Sequence, residues 1–442
     1  MSADGLDLGA YVERARRAEP APAEGRVHEV VGLLVEVVGL DAATGDRLEI
    51  VLPERRLALE VLGFRQGRLL AAPLGPTAGV QHGTPVIRRA RGATVDVGDA
   101  LLGRVLDAFG QPLDGRPAPL CTARVPMRRD PPQPFSRRPI REQVETRVRV
   151  LDGLLPIGRG QRLGLFAGTG VGKSTLLAMM ARRARADVVV VGLIGERGRE
   201  VGEFVHNALG PGGLNHAVVV VATSDTPPLV RAQGALRATA IAEHFRDQGK
   251  HVLLMMDSVT RFAMALREAT LAAGEPPVTK GYTPSVFAAM PAIFERAGNG
   301  SGSGSITAIY TVLVEGDDMN DPIADTVRGT LDGHIVLSRE LAQRGLFPAV
   351  DVLASVTRVI NEITTPEHRQ LAGRIRDHLG TYREASDLLR IGAYVRGSDP
   401  RVDAAVAALP KIEAVVRQDL EETSSLALAL KQLQEIAPET KR

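Results

Sequence analysis

The sequence predicts an α/β core with a mostly parallel sheet, preceded by a small β-barrel and followed by an α-helical region. Three observations support this order. From about residue 27 to 97, short apolar runs are separated by turn-forming segments. The middle of the chain alternates helical patterns with continuous β-branched runs, which are typical of strands buried on both faces. Beyond about residue 366, only helical patterns remain.

The composition is that of an ordinary globular protein and narrows the classes of function. Of the 442 residues, 44% are hydrophobic and 24% are charged. A net charge of +2 does not by itself indicate a nucleic-acid or membrane partner. The single cysteine, Cys121, excludes an internal disulfide framework and fits a reducing compartment. No apolar run approaches the ~20 residues needed to cross a bilayer, so we predict a cytoplasmic protein whose membrane association would be peripheral.

The N-terminal part divides into a tail and the barrel. Residues 1–24 are polar, and Leu6, Leu8, Tyr11 and Val12 could form one face of a short helix that docks a partner; a frayed terminus is the alternative. Residues 25–97 contain five strand-like segments and are predicted to form the barrel domain. The segments are VVGLLVEVVGL, DRLEIVLP, LALEVLGF, GRLLAAPLG and GTPVIRRA.

The remainder is predicted to form an α/β domain over 98–365 and a helical domain over 366–442. Residues 98 to about 130 are interpreted as a connecting region that ends in a proline-rich linker. The buried strands are predicted in RLGLFAG, DVVVVGLIGE, HAVVVVATS, HVLLMMDS, ITAIYTVLVE and GHIVLS. Helical patterns cover 368–394 and 412–436 of the C-terminal domain.

A glycine-rich segment, LGLFAGTGVGKSTLLAMM at 163–180, joins a strand-like run to a helical one. It matches the phosphate-binding loop pattern, with alanine in the leading position where glycine is usual, and in the required strand–helix context. Glycines let backbone N–H groups face phosphate oxygens, and the helix N-terminus adds positive charge. We predict that Lys173 reaches the β- and γ-phosphates of a nucleoside triphosphate and that Ser174 binds Mg²⁺. The predicted nucleotide-binding residues are Gly168, Thr169, Gly170, Val171, Gly172, Lys173, Ser174 and Thr175.

Two carboxylates follow buried strands and complete the predicted chemistry. Asp257 ends the run HVLLMMD, where it can hold the water shell of Mg²⁺ beside the loop; an N-cap for the next helix is the alternative and is compatible with that role. Glu196 ends the run VVVVGLIGE, where it can orient and polarise an attacking water. The nearby Arg197 and Arg199 are interpreted as structural or ribose-side residues.

Phosphoryl transfer also needs a positive charge at the γ-phosphate, and no nearby residue supplies one. The candidate is distant: Arg358, in DVLASVTRVI. An arginine supplied in trans accelerates GTP hydrolysis by ~10³–10⁵-fold. The spacing alone leaves open whether Arg358 has this role or is a surface arginine.

Taken together, these segments resemble the catalytic subunits of rotary ATPases and, more closely, the ATPases of type III protein export. The resemblance covers about residues 25–442, and the tail segment IGAYVRGSDPRVDAAV is similar to the flagellum-specific branch. It is carried in the same order by GLFAGTGVGKSTLL, GLIGERGREV, DSVTRFAMALRE, GYTPSVFAAMPAIFERAGN, LVEGDDMNDPIADTVRGTLDGHIVLSREL and FPAVDVLASVTRVI.

The resemblance implies a RecA-like P-loop ATPase core that binds ATP and Mg²⁺ in a homohexamer, with active sites between subunits. In that family's pattern, Glu196 matches the catalytic glutamate, Arg358 the arginine finger and Arg261 an arginine that supports the site. Phe347 falls where related catalytic subunits often carry a tyrosine packed on adenine; phenylalanine keeps the stacking face and lacks the hydroxyl.

The resemblance also implies a function and its partners: ATP hydrolysis that assists flagellar export by releasing substrates from chaperones. The implied partners are the export gate at the inner membrane, a regulatory stator-like protein at the N-terminal helix, and export chaperones with their substrates.

Three alternatives remain. A nucleic-acid motor on the same core is disfavoured because Phe64 is the one aromatic residue of the barrel region. A rotary subunit is disfavoured by Glu196, which a non-catalytic subunit does not need, and by AYVRGSDP, where catalytic rotary subunits carry an acidic motif. A non-flagellar type III secretion ATPase would share the fold and the chemistry, so this alternative stays open.

Overall fold

The computed structural model describes residues 24–437 apart from 91, 315 and 317. The predicted N-terminal helix lies outside the described residues. The chain divides into two compact units, one of which ends at Ala93 and includes Ala272–Glu275, while the other contains the rest. The predicted barrel, α/β core and C-terminal helical region are confirmed.

The first unit is a closed, antiparallel barrel with the strand order β1-β2-β5-β4-β3-β6. Its strands are β1 Glu24–Val31, β2 Leu34–Val38, β3 Arg47–Val51, β4 Arg56–Arg65, β5 Arg68–Pro73 and β6 Pro85–Ala90. Alternate residues such as Val35, Val37, Leu48 and Ile50 fill its interior. The expectation of five strands was wrong because the first apolar segment forms two. Gly32, at φ 57°, turns the chain inside that segment without a polar residue to signal it.

The second unit begins at β7 and contains the remaining strands and the described α-helices, apart from the last residue of the helix Val259–Ala272. Its strands are β7 Thr94–Val97, β8 Arg104–Asp107, β9 Ala123–Pro126, β10 Gln143–Val144, β11 Ile157–Gly158, β12 Arg162–Ala167, β13 Val188–Ile194, β14 Ala217–Ala222, β15 His251–Asp257, β16 Gly298–Asn299, β17 Ser305–Leu313, β18 Gly333–Val336 and β19 Val356–Thr357.

The helices of this unit cover the sheet and form the C-terminal region. They are α1 Arg149–Leu154, α2 Lys173–Arg183, α3 Gly198–Glu203, α4 Gly210–Leu214, α5 Pro228–Asp247, α6 Val259–Ala272, α7 Pro284–Phe294, α8 Pro322–Thr330, α9 Arg339–Gln343, α10 Ile360–Ile363, α11 Pro366–Arg390, α12 Pro400–Val416 and α13 Leu426–Ile436. A π-helical turn, Phe204–Leu209, separates α3 from α4.

The large sheet has the strand order β19-β18-β12-β17-β15-β13-β14-β8, and only β19 and the short β16, which pairs with β17, run antiparallel in it. The strands β12 to β15 are almost wholly buried, because apolar residues face both sides. The interpretation of residues 98–130 as only a connection was wrong, since β8 forms one edge of this sheet and β7 pairs with β9. A strand of four residues is too short to give a clear pattern.

The C-terminal region is helical, but its second predicted helical pattern is broken. The pattern over 412–436 predicts continuous helix, whereas α12 ends at Val416 and α13 begins after the N-cap Ser425, whose side chain accepts from the Leu428 N–H. The intervening segment returns to the core, where the Gln418 N–H donates to the Phe347 carbonyl at 2.9 Å. Among the described helices, none is both long enough and apolar enough to cross a bilayer.

Candidate active site

The phosphate-binding loop connects β12, in the middle of the sheet, to α2, which begins at Lys173. Gly170 and Gly172 have φ values of 77° and 89°, in the left-handed region that glycine adopts without strain. The side chains that follow on α2 pack into the core, with Leu176, Leu177 and Met180 buried. This packing fixes the N-terminus of α2, so the backbone N–H groups of the loop and first turn converge where a phosphate can bind.

Lys173 lies between two carboxylates that follow other strands of the sheet. Its ammonium forms an ion pair with Asp257 Oδ1, and Glu196 Oε1 is 3.5 Å away. All three side chains are at least 85% buried. Burial opposes the charged form of Lys173, but attraction to Asp257 and Glu196 outweighs it and raises the lysine pKa. The lysine is therefore held as a cation at the point where phosphate oxygens would arrive.

Asp257 is the last residue of β15 and has a second partner that sequence reasoning missed. Thr311, on the neighbouring β17, donates its hydroxyl to Asp257 Oδ1 at 2.7 Å. Thr311 is fully buried. The sequence shows Thr311 only as a hydroxyl residue inside the apolar run ITAIYTVL. Its role can be recognised only when β15 and β17 are known to be adjacent strands.

Glu196 follows β13 and is presented by a tight turn. The Gly195 N–H donates to the Ala222 carbonyl, and the Ser224 N–H donates to the Glu196 carbonyl at 3.0 Å, so both peptide groups are tied to the end of β14. Burial and the neighbouring carboxylate of Asp257 raise the pKa of Glu196 to about 7. A carboxylate with this pKa can accept a proton or orient water near neutral pH.

Arg261 packs against the turn that carries Glu196. Gly195 has φ 73°, and a Cβ built on it would lie 2.7 Å from Arg261 Cβ, so the arginine stem occupies the space beside the glycine. Arg261 Nε is buried and has no hydrogen-bond partner among the described residues. The guanidinium therefore retains a donor that a bound ligand could use.

Phe347 lies next to the phosphate-binding loop. A Cβ built on Gly172 would be 3.2 Å from Phe347 Cδ1, and Phe347 is 41% exposed. The ring thus offers an accessible aromatic face beside the loop. Arg339, which sequence reasoning did not single out, donates to the Thr169 carbonyl at 3.4 Å. Gln418 and Arg339 are both brought here by chain segments distant from the loop.

The residues predicted to bind Mg²⁺ provide a suitable donor set. Ser174 and Thr175 are exposed on the first turn of α2. The ion pair with Lys173 places the carboxylate of Asp257 beside the same turn. Hydroxyl, carboxylate and phosphate oxygens are the hard ligands that Mg²⁺ prefers. The residues present therefore fit a magnesium–nucleotide complex.

Arg358 is not part of this cluster. It is exposed, follows the edge strand β19, and donates from its backbone to Asp332 and from Nη2 to the Arg328 carbonyl. Thr357 pairs with Gly333 at the start of β18, and β18 runs parallel to β12. Arg358 therefore lies at the end of the sheet opposite the phosphate-binding loop, at least roughly 15 Å along the strands.

The two arginines that follow Glu196 point to neighbouring acids. Arg197 pairs with Glu200, and Arg199 pairs with Glu203 on the same helix. Both arginine side chains are at least 70% exposed. These ion pairs with Glu200 and Glu203 partly neutralise both arginines within α3 and at its N-cap.

Two family models match the chain, one to the core and one to the C-terminal helices. Residues 147–357 match the ATP synthase alpha/beta family, nucleotide-binding domain. Residues 364–435 match the T3SS EscN ATPase C-terminal domain. The first match contains Lys173, Glu196 and Asp257.

Curated relatives match over almost the whole chain. A flagellum-specific ATP synthase of Bacillus subtilis is 50% identical over 405 residues, which are 91% of this chain and 92% of the relative. That of Salmonella typhimurium is 50% identical over 426 residues, covering 94% and 93%. A type 3 secretion system ATPase of Xanthomonas euvesicatoria is 49% identical over 403 residues, covering 91% of each protein.

Two solved structures are similar to this chain over almost its whole length. The assembled ATPase EscN from the type III secretion system of enteropathogenic E. coli superposes with a TM-score of 0.89 at 43% identity, covering 93% of this chain and 99% of EscN. EscN in complex with its central stalk EscO gives a TM-score of 0.86 at 42% identity, with the same coverage.

Proposed function

The chain belongs to the family of flagellum-specific and type III secretion ATPases, and we propose that it hydrolyses Mg-ATP to assist flagellar type III protein export. The observation that carries the chemistry is the meeting of Lys173, Asp257 and Glu196 at the carboxyl ends of three strands of one sheet. Phosphoryl transfer is catalysed mainly by positioning and charge neutralisation, and these residues supply both.

Each residue has a separate task in this proposal. The N–H groups of residues 168–175 and the Lys173 ammonium bind the phosphates, while Phe347 stacks on the base. Ser174 and Asp257 hold Mg²⁺, which neutralises charge on the β- and γ-phosphates when bound. Glu196 accepts a hydrogen bond from the attacking water and aligns it with the γ-phosphorus. The water oxygen forms a bond to that phosphorus, and the bond to the ADP oxygen breaks.

The missing positive charge comes, in our proposal, from Arg358 of a neighbouring copy. Within one chain Arg358 and Lys173 are at opposite ends of the sheet, so Arg358 does not serve its own site. In a head-to-tail ring, one end of a subunit meets the opposite end of the next, and closure gives a cyclic assembly. We propose a homohexamer, and the similarity to the assembled ATPase EscN supports such a ring.

The remaining partners are proposed, and one of them has support from a relative. EscN is described in complex with its central stalk EscO, which supports a stalk-like regulatory partner for this chain. We further propose a cytoplasmic location, peripheral to the export gate at the membrane. There, cycles of ATP binding and hydrolysis release substrates from their chaperones. The regulatory stator-like protein would bind to the N-terminal residues of the chain.

A non-flagellar type III secretion ATPase is the second candidate function. Relatives of both kinds match at 50% and 49% identity, so identity does not separate them. The flagellar assignment is supported by the segment IGAYVRGSDPRVDAAV, which resembles the flagellum-specific branch.

The enzymatic proposal is tested by comparing Glu196→Gln with Glu203→Gln. Glu203 is a matched control because it lies on the adjacent helix α3 and pairs with Arg199, away from Lys173. We expect Glu196→Gln to bind a fluorescent ATP analogue normally and to hydrolyse ATP about 10²–10⁴-fold more slowly, the usual contribution of a general base. Normal turnover by Glu196→Gln would exclude the role of this carboxylate.

The flagellar proposal is tested in the source organism. The gene is replaced by the Glu196→Gln allele, protein levels are verified, and filaments and swimming cells are counted. Loss of filaments supports the flagellar assignment. Normal filaments together with slow hydrolysis in vitro would mean that another secretion system uses this ATPase, or that flagellar export in this organism does not depend on Glu196.

A further inference from the structure

The barrel carries a group of metal-binding side chains that the ATPase proposal does not use. A β-bulge interrupts the pairing of β1 with β2, since Val27 pairs with Val37 but the next pair is Glu29 with Glu36. In an uninterrupted strand, Glu29 would face the interior together with Val27. The extra residue, His28, shifts this alternation and re-aims the side chains. His28 and Glu29 therefore lie on the outer surface next to Glu36.

The bulge assembles one imidazole and two carboxylates at ligand distance from each other. A ligand atom from each of His28, Glu29 and Glu36 lies within 4.8 Å of the other two. His28 and Glu36 are half-buried, and Glu29 is exposed. Like charges directly opposite each other across two strands are destabilising. Glu29 and Glu36 form such a pair, so a cation between them would relieve the part of this repulsion that the ion pair between Arg68 and Glu36 does not neutralise.

We propose that His28, Glu29 and Glu36 form a binding site for a divalent transition-metal cation of the zinc class. A nitrogen and two carboxylate oxygens are ligands that Zn²⁺ accepts, and water can complete a four-coordinate site. The imidazole makes Mg²⁺ and Ca²⁺ poor occupants, because these ions prefer oxygen. Ligand–metal distances of about 2.0–2.2 Å would require rotation of these side chains, because their ligand atoms now lie within 4.8 Å of one another.

Two residues outside the proposed ligand set, Arg68 and His82, contact Glu36 and His28. Arg68 on β5 forms an ion pair with Glu36 at 2.7 Å, which partly neutralises the cluster and competes with a metal. His82 Nδ1 lies 2.7 Å from the His28 carbonyl, so it donates its hydrogen there and fixes the backbone of the bulge residue. The metal would link β1 to β2 across the bulge. It therefore stabilises the barrel and does not take part in hydrolysis.

The test is a zinc titration of the full-length protein in competition with a chromophoric chelator, with excess Mg²⁺ to occupy Asp257. We expect His28→Ala, Glu29→Gln and Glu36→Gln each to weaken Zn²⁺ binding by at least about tenfold, because even the loss of an outer-shell partner of a metal ligand costs roughly 10–100-fold in affinity. The controls are Glu54→Gln, an exposed carboxylate of the same unit, and His206→Ala, an exposed histidine of the other. Both should bind like the wild type. The visible spectrum of bound Co²⁺ should change in the same three variants only.

The variant Arg68→Ala separates a ligand role of Glu36 from a structural one. If Glu36 binds the metal, removal of its competing ion pair leaves Zn²⁺ affinity unchanged or increases it. If Glu36 matters only through Arg68, the variant weakens binding, and the assignment fails. Wild-type affinity in all three ligand variants would equally overturn the proposal.

Discussion

The hydroxyl of Thr311 donates a 2.7 Å hydrogen bond to Asp257 Oδ1, the same oxygen that pairs with the Lys173 ammonium. Thr311 is fully buried, and Asp257 is 3% exposed. The bond orients the carboxylate before any ligand binds, and the Met256 carbonyl, 3.2 Å away, is a second and more distant acceptor for the same hydroxyl. The strand β17 thus contributes to the site although its residues carry no recognised motif.

The first prediction is that Thr311→Val impairs Mg²⁺ use. Valine keeps the shape but removes the donor, and a hydrogen bond to a charged group contributes about 1.5–3 kcal/mol. We expect the Mg²⁺ concentration for half-maximal ATPase activity to rise by about tenfold or more, since 1.4 kcal/mol corresponds to a factor of ten. A magnesium titration of steady-state hydrolysis measures the change.

The control for this prediction is Thr307→Val on the same strand. Thr307 is also fully buried, but its hydroxyl accepts from the Gly160 N–H and contacts His251, near the start of the strand. Its loss should lower the thermal midpoint and leave the magnesium requirement unchanged. Equal magnesium curves for Thr311→Val and Thr307→Val would remove Thr311 from the site.

The second prediction concerns pH. The pKa of Glu196 is raised to about 7, so the carboxylate is protonated below that pH and ionised above it. If the ionised form orients water, kcat/KM should rise as the pH increases through about 7, because kcat/KM reports the free enzyme. The kcat/KM of Glu196→Gln should not show this rise with pH. A profile of kcat/KM from about pH 5.5 to 8.5 tests the assignment, and an identical rise in Glu196→Gln would refute it.

The same pKa shift has a consequence for stability. A carboxyl whose folded-state pKa is raised contributes stability at low pH that is lost as the pH rises through the folded-state pKa. The thermal midpoint of Glu196→Gln, measured relative to the wild type, should therefore become more positive between about pH 5.5 and 8. A difference that does not change with pH would contradict the raised pKa.

The fold was largely predictable because continuous β-branched runs have few alternatives to strands buried on both faces. All six runs predicted in the α/β domain correspond to β12, β13, β14, β15, β17 and β18. The exceptions have local causes. The strand β8 has only four residues, and Gly32 turns within an apolar run. Neither feature leaves a pattern that a window of several residues can detect.

The site was predictable where one segment carries both the chemistry and its context. The phosphate-binding loop, Glu196 just after β13 and Asp257 at the end of β15 meet this condition. Thr311, Arg339 and Gln418 do not, because each reaches the site through strand order or through return of the C-terminal segment. Sequence spacing contains no information about these contacts.

The fourth prediction is that Phe347 affects nucleotide affinity more than turnover. The ring is accessible and lies beside Gly172. Aromatic stacking contributes about 0.5–1.5 kcal/mol, so Phe347→Ala should raise KM for ATP by about two- to tenfold with little change in kcat. Phe347→Tyr should behave like the wild type. Phe135→Ala, which alters a fully exposed ring in another segment, is the control and should change neither constant.

The last prediction concerns the shared site. Lys173 and Arg358 lie at opposite ends of the sheet, so a productive site needs Lys173 from one copy and Arg358 from another. Lys173→Ala and Arg358→Ala should each be nearly inactive alone. In rings formed from an equal mixture, about a quarter of the interfaces combine an intact Lys173 with an intact Arg358, as random assembly of a heterologous ring requires.

Co-refolded or co-expressed mixtures should therefore recover up to about a quarter of wild-type hydrolysis per ring, if the sites act independently. An equal mixture of the wild type with a double variant, Lys173→Ala with Arg358→Ala, is the control: sites shared between copies again give about a quarter of wild-type hydrolysis, whereas sites contained within one chain would give about half. Recovery should also increase with protein concentration, since the active species is an assembly. If the two single variants remain inactive when mixed into verified rings, the two residues do not complement across an interface. If Arg358→Ala alone hydrolyses ATP like the wild type at every protein concentration, Arg358 has no part in the reaction.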